Sequence, residues 1–469
     1  MQTQAPFHIA IVGGGASGAL MAAHLLRRRP ANLRVTIIEP RAELGRGIAF
    51  APGSLDHLLN VRVANMSAFP DDPGHFTRWL STWSSIAEQS YIKDSGFVSR
   101  ALYGCYLENL VREHVGEREV GKLHVTRGRA NDIAVTPLGV DIVMTGGSRI
   151  VADVAVLACG HDVGEPRMPL AISPWVEAAT TVNRNAAVLI LGTGLSMVDT
   201  VLSLEARGHC GRIVALSRRG LIPHAHDHVE PVRINAAQAP FDRELSHILR
   251  WLRRLERDAR TGGGWRAVVD GLRPHTQTLW RAMTPKRRAR FLEHARPWWD
   301  VHRHRMAPPV AKRLHDMIAS GRLEIVAGRV LAQRREGDKV RVDLRRRGSM
   351  TIESLDVGCI ISCTGVGGNP ETSSNPLIRT LLDKGLARPD PLRIGVDVDR
   401  GCSLLDKEGG SSGRLFAIGP MSQAAFWEIV AIPDIRVQTA ELAADLLSRI
   451  ERHAGDARRS TTETALGVA

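Results

Sequence analysis

The sequence predicts an α/β protein in which two parallel-sheet βαβ units are joined and the second carries a helical insertion. Three observations predict it. An apolar run, a glycine-rich turn, a helical segment and a second apolar run follow one another from His8 to Ile38, and the same order returns from Ala187 to Leu216. Residues 221–320 change in texture, holding nine of the 18 histidines and five of the nine tryptophans, which marks a separate body of chain. At 469 residues the chain also exceeds one ordinary core, since domains run to about 100–200 residues.

In the first unit His8 to Val12 reads as a strand, Gly13-Gly14-Gly15-Ala16-Ser17-Gly18 as the turn, Ala19 to Arg28 as the helix, and Val35 to Ile38 as the second strand, ending at Glu39. The proline- and aspartate-rich run Phe69 to Gly74 reads as a loop, and Leu123 to Leu157 as strands completing this domain. In the second unit the strand Ala187 to Leu191 leads through Gly192-Thr193-Gly194 to a helix over 195–206 and a strand over 212–216. Within the insertion, Leu245, Ile248, Leu249, Leu252 and Leu255 recur at helical spacing, and Thr261-Gly262-Gly263-Gly264 is expected to break the helices. Strands are expected at Leu323 to Val326, Val340 to Leu344, Cys359 to Ser362 and Leu415 to Ile418, with a last helix from Pro433 to Arg449 and a frayed tail from Gly455. The expected domains are 1–165, 166–354 with the insertion at 221–320, and a C-terminal return to the first domain at 355–469.

Apolar residues at 43% and charged residues at 24% fit a folded globular chain and exclude a largely disordered or fibrous one. The net charge of +13 admits nucleic acid, anionic membranes or anionic small molecules as partners. Its arginines are scattered rather than gathered into a run, which favours small anionic ligands over nucleic acid. No apolar run approaches the roughly 20 residues of a membrane span. The start, Met1 to Phe7, lacks a basic region and a cleavage site, so a cytoplasmic location is expected. The six cysteines form no C-x-x-C pair and are expected to be reduced thiols in or near cores.

The motif Gly13-x-Gly15-x-x-Gly18 gains its meaning from context: a strand before it, a helix after it, and Glu39 21 residues beyond Gly18. Gly13 permits the turn, Gly15 lets a pyrophosphate approach the helix N-terminus, Gly18 allows close helix packing, and Glu39 can bind ribose hydroxyls. The second motif, Gly192-x-Gly194, has Met197 in the third place, and its strand ends in Ser217-Arg218-Arg219. With no carboxylate to repel it, a 2′-phosphate can be held there by two guanidiniums and a hydroxyl, which favours NADPH over NADH. Two such motifs imply two Rossmann-like dinucleotide-binding domains, with FAD in the first and NADPH in the second. His224-Ala225-His226-Asp227-His228 has metal-ligand chemistry but one residue too few for the H-x-H-x-D-H spacing; no metal is expected, and contact with nucleotide or substrate just after the second turn is favoured instead. Trp298-Trp299-Asp300-Val301-His302-Arg303-His304-Arg305-Met306 could wall a pocket for a flat or anionic substrate, with Trp299 and His302 as its members, or anchor the insertion.

The chain resembles the two-dinucleotide-binding-domain flavoproteins. The resemblance covers most of its length and rests on the first glycine motif with Glu39, Leu44-Gly45-Arg46-Gly47, Ala158-Cys159-Gly160, Cys363-Thr364-Gly365 and Leu415-Phe416-Ala417-Ile418-Gly419. Leu44 to Phe50, His57-Leu58-Leu59-Asn60-Val61, Met66 to Asp72 and Trp427-Glu428-Ile429 look more closely like bacterial FAD/NAD(P)-binding proteins related to flavin-dependent N-hydroxylating monooxygenases, near which a urate-hydroxylating branch is placed. The resemblance implies FAD contacts from Ser17, Gly45, Arg46 and Gly160, places Asn60, Val61 and Met66 near the isoalloxazine and Gly419 near the ribityl chain or pyrophosphate, and adds Gly365 to the nicotinamide site. Trp427, near the implied flavin, has the same two readings as Trp299. Two departures stand out: Gly419-Pro420 replaces the common Gly-Asp, and no Cys-x-x-x-x-Cys pair follows Glu39, which argues against a disulfide reductase.

The implied activity is that of a single-component monooxygenase, in which NADPH reduces FAD and oxygen then hydroxylates a small polar or anionic substrate such as urate. Alternatives are an N-hydroxylase of an amino acid or amine, an NADPH-dependent flavin reductase or electron-transfer protein, and a non-catalytic FAD-binding redox sensor.

Overall fold

The computed structural model describes residues 5–28, 30, 32–51, 57–82, 96–116, 122–164, 166, 168–175, 182–258, 263–365 and 368–466, with the backbone alone beyond Arg452. The chain divides into two compact units, one made of 1–52, 62–162 and 368–469 and the other of 53–61 and 163–367.

The first unit is built on a six-stranded sheet in the order Ser403–Leu405, Ser411–Ala417, Val154–Leu157, Phe7–Val12, Leu33–Glu39, Leu123–Arg127. Phe7–Val12 runs parallel to both of its neighbours. It is buried almost throughout, as a strand covered on both faces requires, with its one polar residue, His8, bonded through its ring to the Val151 carbonyl and the Thr36 hydroxyl. The helix Ala16–Leu26 packs on this sheet and is itself covered by the helices Arg100–Arg112 and Ile432–Leu466. That double cover explains its composition, which is apolar nearly all round rather than along one stripe. The helix starts at Ala16, three residues before the expected Ala19, so Ala16, Ser17 and Gly18 form its first turn. An antiparallel sheet of Ala130–Thr136, Gly139–Met144 and Arg149–Ala152 completes the unit. The last helix begins where expected but continues to Leu466, through the region read as frayed.

The second unit has a seven-stranded sheet in the order Ile352–Val357, Lys339–Arg346, Leu323–Glu336, Ile213–Ser217, Val188–Leu191, Cys359–Ser362, Ala171–Ile172. Its parallel core is Val188–Leu191 flanked by Ile213–Ser217 and Cys359–Ser362. The sequence expectation put 355–469 in the first domain, but Cys359–Ser362 pairs with Val188–Leu191, so this unit extends to residue 367. Leu323–Glu336 starts parallel to Ile213–Ser217 and ends antiparallel to Lys339–Arg346. Sequence periodicity shows only its buried first part, because the rest carries exposed arginines on a sheet margin.

The insertion is helical: Leu245–Asp258, Gly264–Leu272, Thr276–Ala282, Pro285–Arg290, Arg296–Arg303 and Pro308–Ala319 lie among the described residues. Phe241, Ile248, Leu272, Leu279 and Met283 form one of its cores, with Leu245, Trp251, Leu252 and Trp299 packed against it. Leu249, expected on the buried face, is 46% exposed. Thr261 and Gly262 of the expected break lie outside the described residues, while Gly263 caps the helix that starts at Gly264. Cys363 and Cys402 are buried, but Cys210 is exposed, so not every thiol lies in or near a core.

Trp280 is 1% exposed, with Phe291 against its ring at 6.2 Å and Arg288 over it at 5.0 Å. Trp280→Ala is expected to destabilise the insertion-bearing unit by about 3–5 kcal/mol, read as a lower urea midpoint; an unchanged midpoint would refute this packing account.

Candidate functional site

Each unit places a glycine turn at the point where its strand order reverses. In the first unit, Phe7–Val12 has Leu33–Glu39 on one side and Val154–Leu157 on the other, so connections leave it in opposite directions and open a crevice at its carboxyl end. Val188–Leu191 stands in the same relation to Ile213–Ser217 and Cys359–Ser362. The two turns share their hydrogen bonds. Gly13 N–H donates to the Ile38 carbonyl at 2.9 Å and Gly192 N–H to that of Leu216 at 2.8 Å. Ala158 N–H donates to the Val12 carbonyl at 2.8 Å, and Cys363 N–H to that of Leu191 at 2.7 Å.

The glycines separate into two kinds by what a side chain would meet. A Cβ on Gly13 would lie 2.4 Å from the Ala158 carbonyl oxygen, and one on Gly192 2.3 Å from that of Cys363; both residues have positive φ. A Cβ on Gly18 would lie 2.0 Å from the Gly13 carbonyl oxygen. These positions exclude a side chain in the protein itself. Gly15 differs, since its Cβ would make only ordinary contact, 3.5 Å from Gly47 Cα, and a Cβ on Gly160, Gly194 or Gly365 would meet nothing within 4 Å. The space kept clear at these four positions is a cradle, and it fits a dinucleotide backbone approaching closely. Met197 replaces the third glycine of the second turn and is fully buried, so helix 195–206 is held by an apolar side chain rather than by contact with the turn.

Both cradles lead onto uncapped helix starts. Gly15 and Gly194 are the N-cap residues of Ala16–Leu26 and Leu195–Ala206, both extended and neither supplying a side-chain cap. The first N–H groups of each helix are therefore available to an anion, with the helix dipole behind them.

The strand-end residues bind back to these turns. Glu39, 7% exposed, accepts Gly14 N–H at 2.8 Å on one carboxylate oxygen and Arg41 N–H at 3.0 Å on the other. Each oxygen keeps a further lone pair for a ribose hydroxyl. Ser217 occupies the equivalent place with a hydroxyl: the Thr193 hydroxyl donates to it at 2.9 Å and Gly220 N–H at 3.0 Å. Ser217 thus shapes the turn, leaving the exposed Arg218 and half-buried Arg219 as its charged groups, and neither guanidinium has a protein partner among the described residues.

Gly45 and Gly47, both at positive φ, bring the next loop against the first turn, where Gly45 N–H donates to the Gly14 carbonyl at 2.7 Å. Between them, Arg46 is tied to Glu108 of helix Arg100–Arg112 at 2.8 Å, which engages its guanidinium inside the protein. Gly419, at φ +68, lies over the start of the first helix, where a Cβ would meet Ser17 Oγ at 2.3 Å. Gln438 holds that turn: its Oε1 accepts Gly419 N–H at 2.8 Å and its Nε2 donates to Ser422 Oγ at 2.9 Å. No sequence signal pointed to Gln438, which stands alone in a long helix. Met66 is buried, and the Tyr103 hydroxyl donates to its carbonyl at 2.9 Å. Asn60 and Val61, expected beside Met66 in the first domain, group with the second unit, where the Asn60 carbonyl meets His226 Nε2 at 2.9 Å. Burial pushes the Cys159 and Cys363 thiols up to about 12, so both stay protonated and unreactive near neutral pH.

Trp427 is packed into the first unit at 4% exposure. Trp299 packs on the insertion core, which favours the anchor over the pocket wall. His302 instead meets His224 and Trp265, at ring-centroid distances of 4.7 and 4.5 Å. Among the described residues no three His, Cys, Asp or Glu side chains are placed to hold a metal ion, and no helix is long and apolar enough to cross a membrane.

The two kinds of glycine predict opposite phenotypes. Gly194→Ala is expected to fold with a thermal midpoint near the parent's while weakening NADPH binding at least tenfold, whereas Gly192→Ala is expected to prevent stable folding. Thermal melts and NADPH titration of the two variants check this, and equal behaviour would refute the cradle.

Comparison with known proteins agrees with this geometry. Residues 10–162 match the model of a family described as FAD-NAD(P)-binding. No protein of curated function matches the sequence. Similar solved structures include the ornithine N-hydroxylase of Kutzneria sp. 744 with reduced FAD, NADP+ and L-ornithine, at 16% identity and a TM-score of 0.62 over 96% of this chain and 100% of that one. The L-lysine 6-monooxygenase of Pseudomonas syringae is similar at 16% identity and a TM-score of 0.62, over 95% and 99% of the two chains. The FAD-bound cadaverine monooxygenase of Erwinia amylovora, from desferrioxamine biosynthesis, is similar at 10% identity and a TM-score of 0.64, over 94% of each chain. At these identities the likeness is one of fold, and the chain has the two-domain α/β fold of these flavoproteins, with an FAD-NAD(P)-binding family match across its first glycine turn and the strands around it.

Proposed function

We propose that this chain is an FAD- and NADPH-dependent monooxygenase that N-hydroxylates a small amine or amino acid. The observation that carries the reading is the pair of switch-point glycine turns with opposite chemistry beside them. A carboxylate, Glu39, stands next to the first, and a hydroxyl with two guanidiniums that have no partner among the described residues, Ser217, Arg218 and Arg219, follows the second. A carboxylate accepts ribose hydroxyls and repels a 2′-phosphate, which suits FAD, while the arginines suit the 2′-phosphate of NADPH.

When bound, the two cofactors supply hydride transfer and oxygen activation. The chain's part is to bind and orient them. The N–H groups at the start of Ala16–Leu26 and Leu195–Ala206 would hold the pyrophosphates, and Gly15, Gly160, Gly194 and Gly365 would leave room for their close approach. Gly419, held by Gln438, closes over the first helix start at the turn where a Gly-Asp carboxylate is common. Met66, Asn60 and Val61 keep the flavin assignment that the resemblance implies. The absence of a Cys-x-x-x-x-Cys pair after Glu39 argues against the disulfide-reductase reading.

The substrate class rests on the similar structures. They act on ornithine, lysine and cadaverine, which puts an amine or amino acid ahead of urate. Anaerobic mixing of the yellow protein with NADPH is expected to bleach the flavin, and oxygen with the right amine is expected to return the colour with one hydroxylated amine per NADPH. Absence of bleaching would refute the reading, and reoxidation without product from any amine would leave a reductase. Arg218→Ala with Arg219→Ala is expected to raise the KM for NADPH at least tenfold while barely changing that for NADH, since charged hydrogen bonds contribute about 1.5–3 kcal/mol each. An unchanged preference between the two nucleotides would refute the phosphate site.

A further inference from the structure

One cluster in the insertion lies outside the residues assigned above to the two glycine turns. His224, Trp265 and His302 meet ring to ring, with centroids 4.5 to 4.9 Å apart. Two guanidiniums lie over the same indole: Arg266 at 4.5 Å and Arg305 at 5.7 Å from its centroid. Arg305 is 1% exposed, and its Nη2 is ion-paired with Asp270, but its Nε and Nη1 are buried with no partner. Arg266 is tied to the Ala225 carbonyl through Nε and Nη2, so its charge is fixed in place without a carboxylate of its own.

Buried guanidinium donors left unpaired are unfavourable, and the Arg266 and Arg305 guanidiniums beside one indole repel each other. Burial and the neighbouring His302, Arg266 and Arg305 together hold the His224 imidazole below its ordinary range. A bound oxyanion would relieve both conditions. The cluster is reachable, because His224 is exposed and Trp265 and Arg266 also line an open groove. The remaining lining of that groove includes Glu230, which suits a positive charge on the part of a ligand outside the cluster.

We propose that this cluster binds a zwitterionic amino acid, its carboxylate at Arg305 and Arg266 and its ammonium towards Glu230. An outward rotation of the exposed His224 ring admits the carboxylate to the unpaired Arg305 donors. The site lies wholly within the second unit, and the inference goes beyond the proposed reaction, since it requires no flavin chemistry.

Calorimetry on the full-length protein, without NADPH, tests it with three probes: L-lysine, cadaverine (lysine without its carboxylate) and inorganic phosphate. L-Lysine is expected to bind, with cadaverine at least tenfold weaker. Arg305→Lys and Arg266→Gln are each expected to weaken L-lysine about tenfold or more, while Arg253→Gln, on an exposed helix face, leaves it unchanged. Arg305→Lys keeps the charge beside Asp270, and Arg266→Gln spares the buried pair altogether, so at least one variant reports on a folded protein. The proposal is overturned if L-lysine does not bind, if cadaverine binds as well, if phosphate binds in its place, or if neither variant changes affinity. These readouts are heats of binding, so they stand or fall separately from flavin bleaching by NADPH.

Discussion

The structure depends on two places where the backbone comes too close to itself to admit a side chain. At Gly13 and at Gly192, the carbonyl of the residue that follows the neighbouring parallel strand occupies the space of a Cβ. Each contact fixes how the turn leaves its strand, and so where the next helix starts and where its first N–H groups point. A methyl group at either place would push the turn off the adjacent strand end and close the crevice that the reversal of strand order opens. The cradle glycines can remain clear only because these two positions hold the frame around them.

Much of this was legible in the sequence because strand, glycine turn, helix and strand leave a strong local pattern. The bounds of helix 195–206 match the expectation, and Glu39, expected to bind ribose hydroxyls, accepts Gly14 N–H of the turn. Less legible was anything decided by partners far along the chain. Cys359–Ser362 reads as a buried strand, but only its pairing with Val188–Leu191 shows which sheet receives it. Arg46 sits in a motif whose glycines do shape the first turn, yet its guanidinium is engaged by Glu108, 62 residues away. Ser217 reads as a phosphate ligand by position, but its hydroxyl bonds to Thr193 and so belongs to the turn first. Trp299 and His302, three residues apart on one short helix, part company because one packs on the insertion core and the other on His224 and Trp265.

The two halves reach a similar turn by different side-chain means. In the first, a glycine contact draws helix and turn together and a carboxylate binds the turn from the next strand. In the second, Met197 fills the helix interface and a hydroxyl takes the place of the carboxylate. Backbone geometry is kept while the charge beside it changes sign, and that charge is what distinguishes a nucleotide with a 2′-phosphate from one without. Likewise Gln438 steadies Gly419 where a carboxylate is common, so the position of the turn is retained while its charge is given up.

The segmentation of the first unit has a consequence for synthesis on the ribosome. Its sheet takes Ser411–Ala417 beside Val154–Leu157, and its first helix is covered by Ile432–Leu466, so its core is incomplete until the end of the chain has emerged. The second unit, by contrast, is finished at residue 367, with every strand of its sheet already made. Vectorial folding therefore favours the unit whose gene segment lies in the middle, and leaves the N-terminal strands waiting for about a hundred further residues at a translation rate of 5–20 residues per second. During those seconds the apolar helix Ala16–Leu26 lacks its C-terminal cover, which makes it the exposed surface that a chaperone would meet first.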